Sequence, residues 1–515
     1  MERSISLLVV LGCVLCIASC TGIHKISTAP SPAYWPTEGW LTSPPEKQGM
    51  DSRVLTDMLE YVHQRNLNLH SLLIVRHGYV VLDAYFYPYS RDSLHDVASV
   101  TKSVTTSLVG IALEKGFIKS VKQPVLELFP DRIIGNLDEE KKRITIEHLL
   151  SMTSGLECGY EPGEKTLYAM LKSDDWVQFV LDLPMAAAPG TRFAYCSPTM
   201  HLLSVILKRT TGTSALEFAH KYLFGPLGIR NVDWPSDPQG INHGWGDLRL
   251  HPHDMAKIGF LFLNNGTWDG RHILSPDWIR KATRKHIDVP DSDSDYGYGW
   301  WVNSTEFPGL YEAVGRGGQS ISIWPDKDVV VVFTAGGLDR GEIAPLLVSA
   351  LKSDRSLKEN PDAYGRLQER VVAAAKPPDP KPVPPLPGTA RRISGRMYEL
   401  EPNPLGVKSV FLSVKGQDEA LFGISLAGGP GGAEGLFRMP VGLDGVYRIS
   451  KEGPSDFPVA VKGFWRTENE FVLSYNEVAR INNFMLTMTF EGDNVIVRVD
   501  DPTHHFDATI NGRVR

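Results

Sequence analysis

The sequence predicts an α+β fold, in which an antiparallel sheet is flanked by helices and a large helical lobe and is followed by a small C-terminal antiparallel β domain. Two strand-like runs lie near the N-terminus, and four more return from residue 296, with mostly helical or loop sequence between about 120 and 290. A proline-rich stretch interrupts the chain, and apolar and polar residues alternate after residue 391. The first pattern fits one sheet covered by helices, and the last fits a second, separate sheet.

The N-terminal elements are predicted from periodicity and turn residues. An amphipathic helix is expected at about 51–65, because apolar side chains recur there on one helical face. The run SLLIVRHGYVVLDAYFY (71–87) predicts two strands around a His-Gly turn. A second helix is expected from Ser99 to about Gly116.

The later elements complete the first sheet. Strands are expected at YGYGWWV (296–302), YEAVGRGG (311–318), QSISIWPDKD (319–328) and VVVVFTAGG (329–337), with a final helix at about 342–353. A cleft between the helical lobe and this sheet is the natural place for a small-molecule site.

Composition limits the function. The chain has 515 residues, 42% hydrophobic content and a net charge of −7, and it has no basic stripe, so nucleic acid is not an expected partner. We expect a main domain at 46–356, a proline-rich linker at 357–390 and a β domain of unknown role at 391–515. The linker contains seven prolines within 376–388, which favours an extended spacer.

The N-terminus, MERSISLLVVLGCVLCIASC, has the pattern of a secretory signal at 1–20. Its end, I-A-S-C, also resembles the bacterial lipobox, in which Cys20 is lipidated, and 21–45 would then be a tether. We therefore expect an exported lipoprotein anchored to the membrane of a bacterial envelope, on its periplasmic or outer-membrane side. An ordinary signal peptide and an uncleaved anchor are the alternatives. In an oxidising compartment Cys158 and Cys196 could form a disulfide, although the sequence alone does not bring them together.

A Ser-x-x-Lys spacing occurs at Ser99/Lys102 and at Ser349/Lys352. The second lies late in the final helix, where a lysine complements the helix dipole and no function is required. Ser99 instead starts a helix with an apolar face, where free N–H groups favour an oxyanion. Lys102 lies one turn on, on the same face, where loss of hydration would let it accept a proton. The alternative for Ser99 is a simple helix cap.

Two further motifs carry polar chemistry. Tyr195, in FAYCSPTMHLL, stands just before a predicted helix, and a phenol beside an ammonium can act as a general base. Arg316, Gly317 and Gly318 stand on a strand edge, where a cation can hold a carboxylate and glycines allow close approach. Taken alone, the tyrosine could be a packed aromatic residue and the glycines a bulge.

In this order, Ser99-x-x-Lys102, Tyr195-x-Ser197 and Arg316-Gly-Gly resemble the three motifs of the serine β-lactamase/penicillin-binding-protein superfamily. The closer resemblance is to its branch related to class C β-lactamases, which includes family VIII esterases and 6-aminohexanoate-dimer hydrolase. It covers about 40–355 and implies a β-lactamase/transpeptidase-like fold. The β domain lies outside it.

The resemblance implies a role for each residue. Ser99 is the expected nucleophile, Lys102 and Tyr195 share the acid and base roles, and the backbone N–H groups of Ser99 and Gln319 form an oxyanion hole. Ser197, Arg316, Gly317 and Gly318 are the expected substrate-binding residues. No cofactor and no metal are implied. The paired histidines at 251/253 and 504/505 lack a third ligand.

Two departures from the usual motifs affect the expected substrate. Ser197 stands where the second motif ordinarily ends in Asn, and Arg316 stands where the third begins with Lys or His. We therefore expect an exported serine hydrolase that cleaves a small ester, amide or peptide through an acyl-Ser99 intermediate. The alternatives are a β-lactamase or D-alanyl-D-alanine carboxypeptidase, acting on β-lactams or cell-wall peptides, and a non-catalytic ligand-binding surface protein. A Cys158–Cys196 disulfide would stiffen the loop that carries Tyr195.

Overall fold

The computed structural model describes residues 32–160, 163–429, 432–451, 453–455, 457–501 and 506–515. The predicted signal peptide, Cys20, the first part of the predicted tether, His504 and His505 lie outside these residues. Pro32–Arg515 forms one compact unit. Over the described part of the chain, no helix combines the length and hydrophobicity needed to cross a bilayer.

The predicted antiparallel sheet is present, and in the described residues it has seven strands. The hairpin near the N-terminus turns at His77 and Gly78, as the sequence predicts. Its first strand pairs with Val329–Ala335, and that strand pairs in turn with Gln319–Trp324, which begins directly after the motif glycines. The N-terminal hairpin and the later strands therefore belong to one sheet. In spatial order the strands are Tyr79–Tyr85, Leu69–Arg76, Val329–Ala335, Gln319–Trp324, Tyr311–Gly315, Trp301–Val302 and Asp295–Tyr296.

Helices cover both faces of this sheet because successive strand residues point to opposite sides. On one face, Leu55 and Met58 of the first helix pack with Ile74 and Phe333. On the other face lie the helices Val100–Glu114 and Pro252–Leu263 and the helical lobe. The helices of this domain are Ser52–Gln64, Val100–Glu114, Glu139–Lys142, Ile146–Leu150, Lys165–Leu171, Trp176–Leu181, Ser197–Thr211, Ala215–Ala219, Pro252–Leu263, Pro276–Ala282, Ala344–Ala350 and Pro361–Ala374.

Two predicted segments differ from the structure. The strand expected at 296–302 is interrupted by a turn, in which Gly299 has a φ of 75° and lies against Thr106 of the Val100–Glu114 helix. The linker expected at 357–390 contains the helix Pro361–Ala374, which buries Leu367 against the first helix. The extended part of the linker is therefore restricted to the prolines that follow this helix.

The C-terminal β domain is a curled antiparallel sheet that begins after the short helix Gly388–Ile393. Ten strands are described, and a pairing between Gly442 and Lys462 brings the two ends of the sheet together into a barrel-like shape. Its interior is apolar, as the alternating pattern predicts. The strands are Met397–Leu400, Val407–Val414, Glu419–Gly429, Gly432–Gly442, Arg448–Ser450, Val459–Trp465, Glu470–Glu477, Asn483–Glu491, Asn494–Asp501 and Phe506–Val514.

Candidate active site

Ser99 and Lys102 are in direct contact at the start of the Val100–Glu114 helix. The Lys102 ammonium donates to Ser99 Oγ at 2.7 Å. Ser99 has helical backbone angles, and its side chain makes no capping hydrogen bond to the first turn. Its backbone N–H forms no hydrogen bond with another described residue. The Ser99 hydroxyl is therefore engaged by a lysine rather than by the helix that it begins.

Lys102 is buried, with 1% of its surface exposed, and is held from two sides. Besides Ser99 Oγ, its ammonium donates to the backbone carbonyl of Trp245 at 2.9 Å. The Trp245 segment is tied to the same helix, because Thr105 Oγ1 donates to the carbonyl of Gly244 at 2.9 Å. Sequence reasoning missed Trp245, since a backbone carbonyl 143 residues away leaves no sequence signal.

Tyr195 lies beside this pair. The Lys102 ammonium is 4.7 Å from the centre of the Tyr195 ring, which also stacks on Trp301 at 6.1 Å. Cys196, the residue directly after Tyr195, forms a disulfide with Cys158. The structure thus brings together the three residues expected to carry the chemistry and ties the tyrosine loop to a neighbouring segment.

The third motif lies against the turn that precedes Ser99. A Cβ atom on Gly315 would lie 2.5 Å from the carbonyl oxygen of Val97, so only glycine permits this approach. The Gln319 side chain is buried and exchanges hydrogen bonds with the backbone of Ala335. This fixes the start of the strand Gln319–Trp324, where the expected second oxyanion-hole N–H is located.

Ser197 is buried at the start of the helix Ser197–Thr211, and its hydroxyl donates to Glu164 Oε1 at 3.0 Å. Glu164 was not among the predicted site residues, because no motif links it to Ser197 across 33 positions. The hydroxyl that replaces the usual Asn amide is therefore bound to a carboxylate of the helical lobe.

Arg316 is exposed and faces the β domain. Its guanidinium lies 3.5 Å from Asn482 Oδ1, and the carboxylates of Asp96 and Asp501 lie close enough to interact with its charge. Both Asn482 and Asp501 belong to the β domain, in which the sequence indicated no part of a site. The β domain therefore lies against Arg316 of the third motif.

A buried carboxyl controls the turn before Ser99. Asp96 Oδ1 accepts the N–H of Ala98 at 2.8 Å, and Ala98 adopts a left-handed conformation with a φ of 46°. Burial, reinforced by the carboxylate of Asp247, raises the pKa of Asp96 to about 6. Strained residues of this kind are typical of functional sites.

The remaining candidates lie elsewhere. Ser349 is exposed and donates to the carbonyl of Leu346 at 2.8 Å. His251 contacts Asn231 and His253 contacts Asp83, and across the described ranges no three His, Cys, Asp or Glu side chains gather as metal ligands.

A cavity of about 530 Å³ lies beneath the Ala344–Ala350 helix and is lined by strand residues such as Val331 and Phe333. Ser99, Lys102 and Tyr195 do not line it. The candidate active site therefore lies outside this cavity.

Two proteins of similar sequence have names that describe hydrolases. The 6-aminohexanoate-dimer hydrolase of Paenarthrobacter ureafaciens is 23% identical over 283 residues, which cover 51% of this chain and 71% of that protein. Esterase EstB of Burkholderia gladioli is 28% identical over 180 residues, which cover 33% of this chain and 45% of that protein. Both are hydrolases by name.

Solved structures show the same fold. EstCE1, a hydrolase with promiscuous acyltransferase activity, superposes with a TM-score of 0.51 at 17% identity, covering 59% of this chain and 99% of that one. A putative beta-lactamase from Bacteroides dorei gives 0.50 at 18% identity, covering 59% and 100%. The beta-lactamase family profile matches residues 58–346, which contain all three motifs. Because this match spans more than half of the 515 residues, the chain belongs to the beta-lactamase family.

Proposed function

We propose that this chain is an exported serine hydrolase that cleaves a carboxylic ester or amide through an acyl-enzyme on Ser99. The observation that carries the proposal is the 2.7 Å contact between Ser99 Oγ and the buried Lys102 ammonium, with the Tyr195 ring 4.7 Å from that ammonium. A hydroxyl next to a desolvated amine and a phenol has the groups that an activated serine requires.

In this mechanism the Lys102–Tyr195 pair begins with one proton fewer, as a neutral amine beside a phenol or as an ammonium beside a phenolate. The Ser99 oxygen attacks the substrate carbonyl carbon while its proton passes to this pair. The carbonyl oxygen becomes an oxyanion that accepts hydrogen bonds from the backbone N–H groups of Ser99 and Gln319. The intermediate then collapses, and the leaving alcohol or amine takes the proton, which leaves an acyl-Ser99 ester. Water attacks this ester, and the carboxylic acid departs as the Ser99 hydroxyl is restored.

The altered motifs favour an ester or amide over a β-lactam. Ser197 offers a hydroxyl already bound to Glu164, so it does not reproduce the amide that ordinarily stands there. The relatives named as a dimer hydrolase and an esterase support the same ranking.

The function is tested by incubating the wild-type chain and Ser99→Ala with p-nitrophenyl acetate, a chromogenic cephalosporin and a fluorophosphonate. We expect ester turnover and fluorophosphonate labelling of the wild type only. Cephalosporin turnover that rivals ester turnover would favour the β-lactamase alternative. Specific ligand binding without labelling or turnover would favour the non-catalytic alternative.

Export and lipidation of Cys20 form part of the proposal and rest on the N-terminal sequence. The Cys158–Cys196 disulfide supports an oxidising compartment, because such bonds persist in exported proteins. Cys20→Ala should release the protein from membranes, and an unchanged membrane fraction would contradict the anchor. Thiol counting on the denatured, unreduced protein should find neither Cys158 nor Cys196 reactive.

A further inference from the structure

Residues 243–247, hereafter the Trp245 loop, carry the backbone carbonyl that accepts a hydrogen bond from Lys102. The loop lies between an isolated bridge at Asn242 and the short strand Arg249–Leu250, so it belongs to neither a helix nor a strand. Within the described residues, the backbone N–H groups of 244–247 donate no hydrogen bond. The conformation of the Trp245 loop therefore depends on its carbonyl groups and its side chains.

The Trp245 loop is wedged between two helices of the candidate site. On one side, two residues of the helix that follows Ser99 bond consecutive carbonyls: Thr105 Oγ1 donates to Gly244 and Lys102 Nζ to Trp245, both at 2.9 Å. On the other side, a Cβ atom on Gly244 would lie 2.2 Å from the carbonyl oxygen of Met200. A displacement of this loop would therefore move the Trp245 carbonyl relative to Lys102.

A bond between two side chains joins the ends of the Trp245 loop. His243 Nδ1 and Asp247 Oδ2 are 2.7 Å apart. The His243 ring also stacks on the ring of Trp245, with centres 4.5 Å apart and 13° between the planes. Asp247 has a φ of 64°, a left-handed conformation that is uncommon for residues other than glycine. Such a conformation persists where surrounding contacts hold it, and the bond to His243 is one of those contacts.

The charge of Asp247 determines the direction of this bond. Burial would raise the pKa of Asp247, but the hydrogen bond from His243 and the charges of Arg480 and Arg249 hold that pKa below its usual value. Asp247 is therefore a carboxylate at neutral pH and can only accept, so His243 Nδ1 carries the proton. His243 Nε2 is buried and has no hydrogen-bond partner in the described part of the chain. The polar contact of the His243 side chain is thus its bond to Asp247.

We propose that His243 is a positioning residue that acts through Lys102. By bonding Asp247 it holds the Trp245 loop in the shape that presents the Trp245 carbonyl to the lysine. This inference rests on the proposed function and deepens it. The Lys102 nitrogen is held between the Trp245 carbonyl at 2.9 Å and Ser99 Oγ at 2.7 Å. A fixed carbonyl therefore gives the Ser99 proton a short and constant path to the lysine.

The test compares wild type with His243→Phe, His243→Asn and His253→Phe. His243→Phe keeps an aromatic ring beside Trp245 and removes the Nδ1 donor. His243→Asn restores a donor, because its amide nitrogen stands at the position of Nδ1, and all three variants keep Asp247. His253→Phe is the matched control, since His253 bonds Asp83 at 3.0 Å and its side chain is 14% exposed, against 13% for His243.

We expect His243→Phe to lower both kcat for p-nitrophenyl acetate and the rate of fluorophosphonate labelling about tenfold, because a misplacement of about 1 Å can cost about 10²-fold. KM should change less than about twofold, since the substrate is bound elsewhere. His243→Asn should recover kcat to within about threefold of wild type, and His253→Phe should stay within about twofold. Circular dichroism and thermal melting verify that each variant is folded. If His243→Phe does not fold, Asp247→Gly removes the same bond, permits the left-handed conformation and should show the same loss.

A double-mutant cycle with Lys102 separates positioning from a general loss of structure. In a Lys102→Ala background the group that His243 positions is absent, so His243→Phe should lower the residual labelling rate less than about twofold. A general loss of structure would lower that rate about tenfold in both backgrounds.

Four results would overturn the inference and leave the proposed function intact. These are wild-type rates in His243→Phe, no recovery in His243→Asn, a tenfold loss in His253→Phe, and equal losses in the two arms of the cycle. Absence of turnover and of Ser99 labelling in the wild type would overturn the proposed function and this inference together.

Discussion

The Ser99–Lys102 pair and the Ser349–Lys352 pair share one spacing and differ in burial, contacts and position on their helices. Lys102 is buried and donates to Ser99 Oγ at 2.7 Å. Ser349 and Lys352 are both exposed, and Ser349 donates to the carbonyl of Leu346 within its own helix. That helix ends at Ala350, so Lys352 lies beyond it.

This difference has a physical cause. A serine inside a helix ordinarily bonds a carbonyl one turn back, as Ser349 does. Ser99 precedes the first full turn, and its partner lysine continues along the same helix into the interior. A Ser-x-x-Lys spacing brings the two side chains together only when both residues have helical backbone angles, as Ser99 and Lys102 do. Because Lys102 is buried, its ammonium bonds to Ser99 Oγ and the Trp245 carbonyl rather than to water.

The largest difference between the pairs is expected for the serines. Ser99→Ala removes the attacking oxygen, so kcat/KM for p-nitrophenyl acetate should fall at least about 10³-fold. Ser349→Ala should leave the rate within twofold of wild type. Comparable losses in the two variants would remove the distinction on which the site assignment rests.

Substitution of the two lysines should change kcat by factors that differ slightly less than those for the two serines. Lys102→Ala deletes the group that contacts Ser99 Oγ, and kcat should fall about 10³-fold, within the range for loss of a general base. Lys352→Ala, at an exposed position, should change kcat less than twofold. Melting temperatures separate this effect from unfolding, and a folded Lys102→Ala variant with full activity would contradict the account.

The tyrosine beside Lys102 can be tested against a matched pair. Lys115 lies 4.6 Å from the ring of Tyr222, a geometry close to that of Lys102 and Tyr195, but this pair lies at the far end of the helix. Tyr195→Phe should lower kcat about 10²-fold, because the hydroxyl is lost and the ring is kept. Tyr222→Phe should have no such effect, and equal rates for the two variants would exclude an acid–base role for Tyr195.

The smallest expected effect concerns the turn before Ser99. The pKa of Asp96 is 3.8 in the unfolded chain and rises to about 6 in the folded protein. Burial is the main cause and the Asp247 carboxylate adds to it, while the N–H of Ala98 and the charges of Arg480 and Arg316 oppose it. The folded state therefore binds more protons between these values, and raising the pH through this window lowers the free energy of unfolding.

Asp96→Asn removes this dependence. Relative to wild type, its free energy of unfolding should rise by roughly 2–3 kcal/mol between pH 4 and pH 7, because one pKa unit corresponds to about 1.4 kcal/mol. Urea unfolding of both proteins at several pH values measures this difference in the free energy of unfolding. Asp379→Asn, at an exposed carboxyl in the proline-rich stretch, is the control, and parallel profiles for Asp96→Asn and wild type would contradict a raised pKa.

Local patterns predicted much of the fold. The hairpin, the first helix and the Val100–Glu114 helix follow from periodicity and turn residues, which act within a few positions. The interruption of 296–302 was not predicted, because it depends on contact between Gly299 and a distant helix. The helix Pro361–Ala374 was missed because its buried face is small and prolines follow it.

The site was predicted in part for a similar reason. Ser99, Lys102, Tyr195 and the Arg316 motif have local signatures that appear in a set order, and the structure brings them together. Glu164, the Trp245 carbonyl and Asn482 have no such signature, because their contribution arises only from tertiary contacts. The β domain, interpreted as having no part in the site, supplies Ile481 and Asn482 beside Gly317 and Arg316.

The position of the covalent bond to an inhibitor identifies the nucleophilic serine. The full-length protein is treated with a fluorophosphonate and digested, and the modified peptide is sequenced by mass spectrometry. We expect one adduct on Ser99, none on Ser349, and loss of ester hydrolysis in proportion to labelling. An adduct on another serine that accompanies inactivation, or full ester hydrolysis by a Ser99→Ala variant, would contradict it.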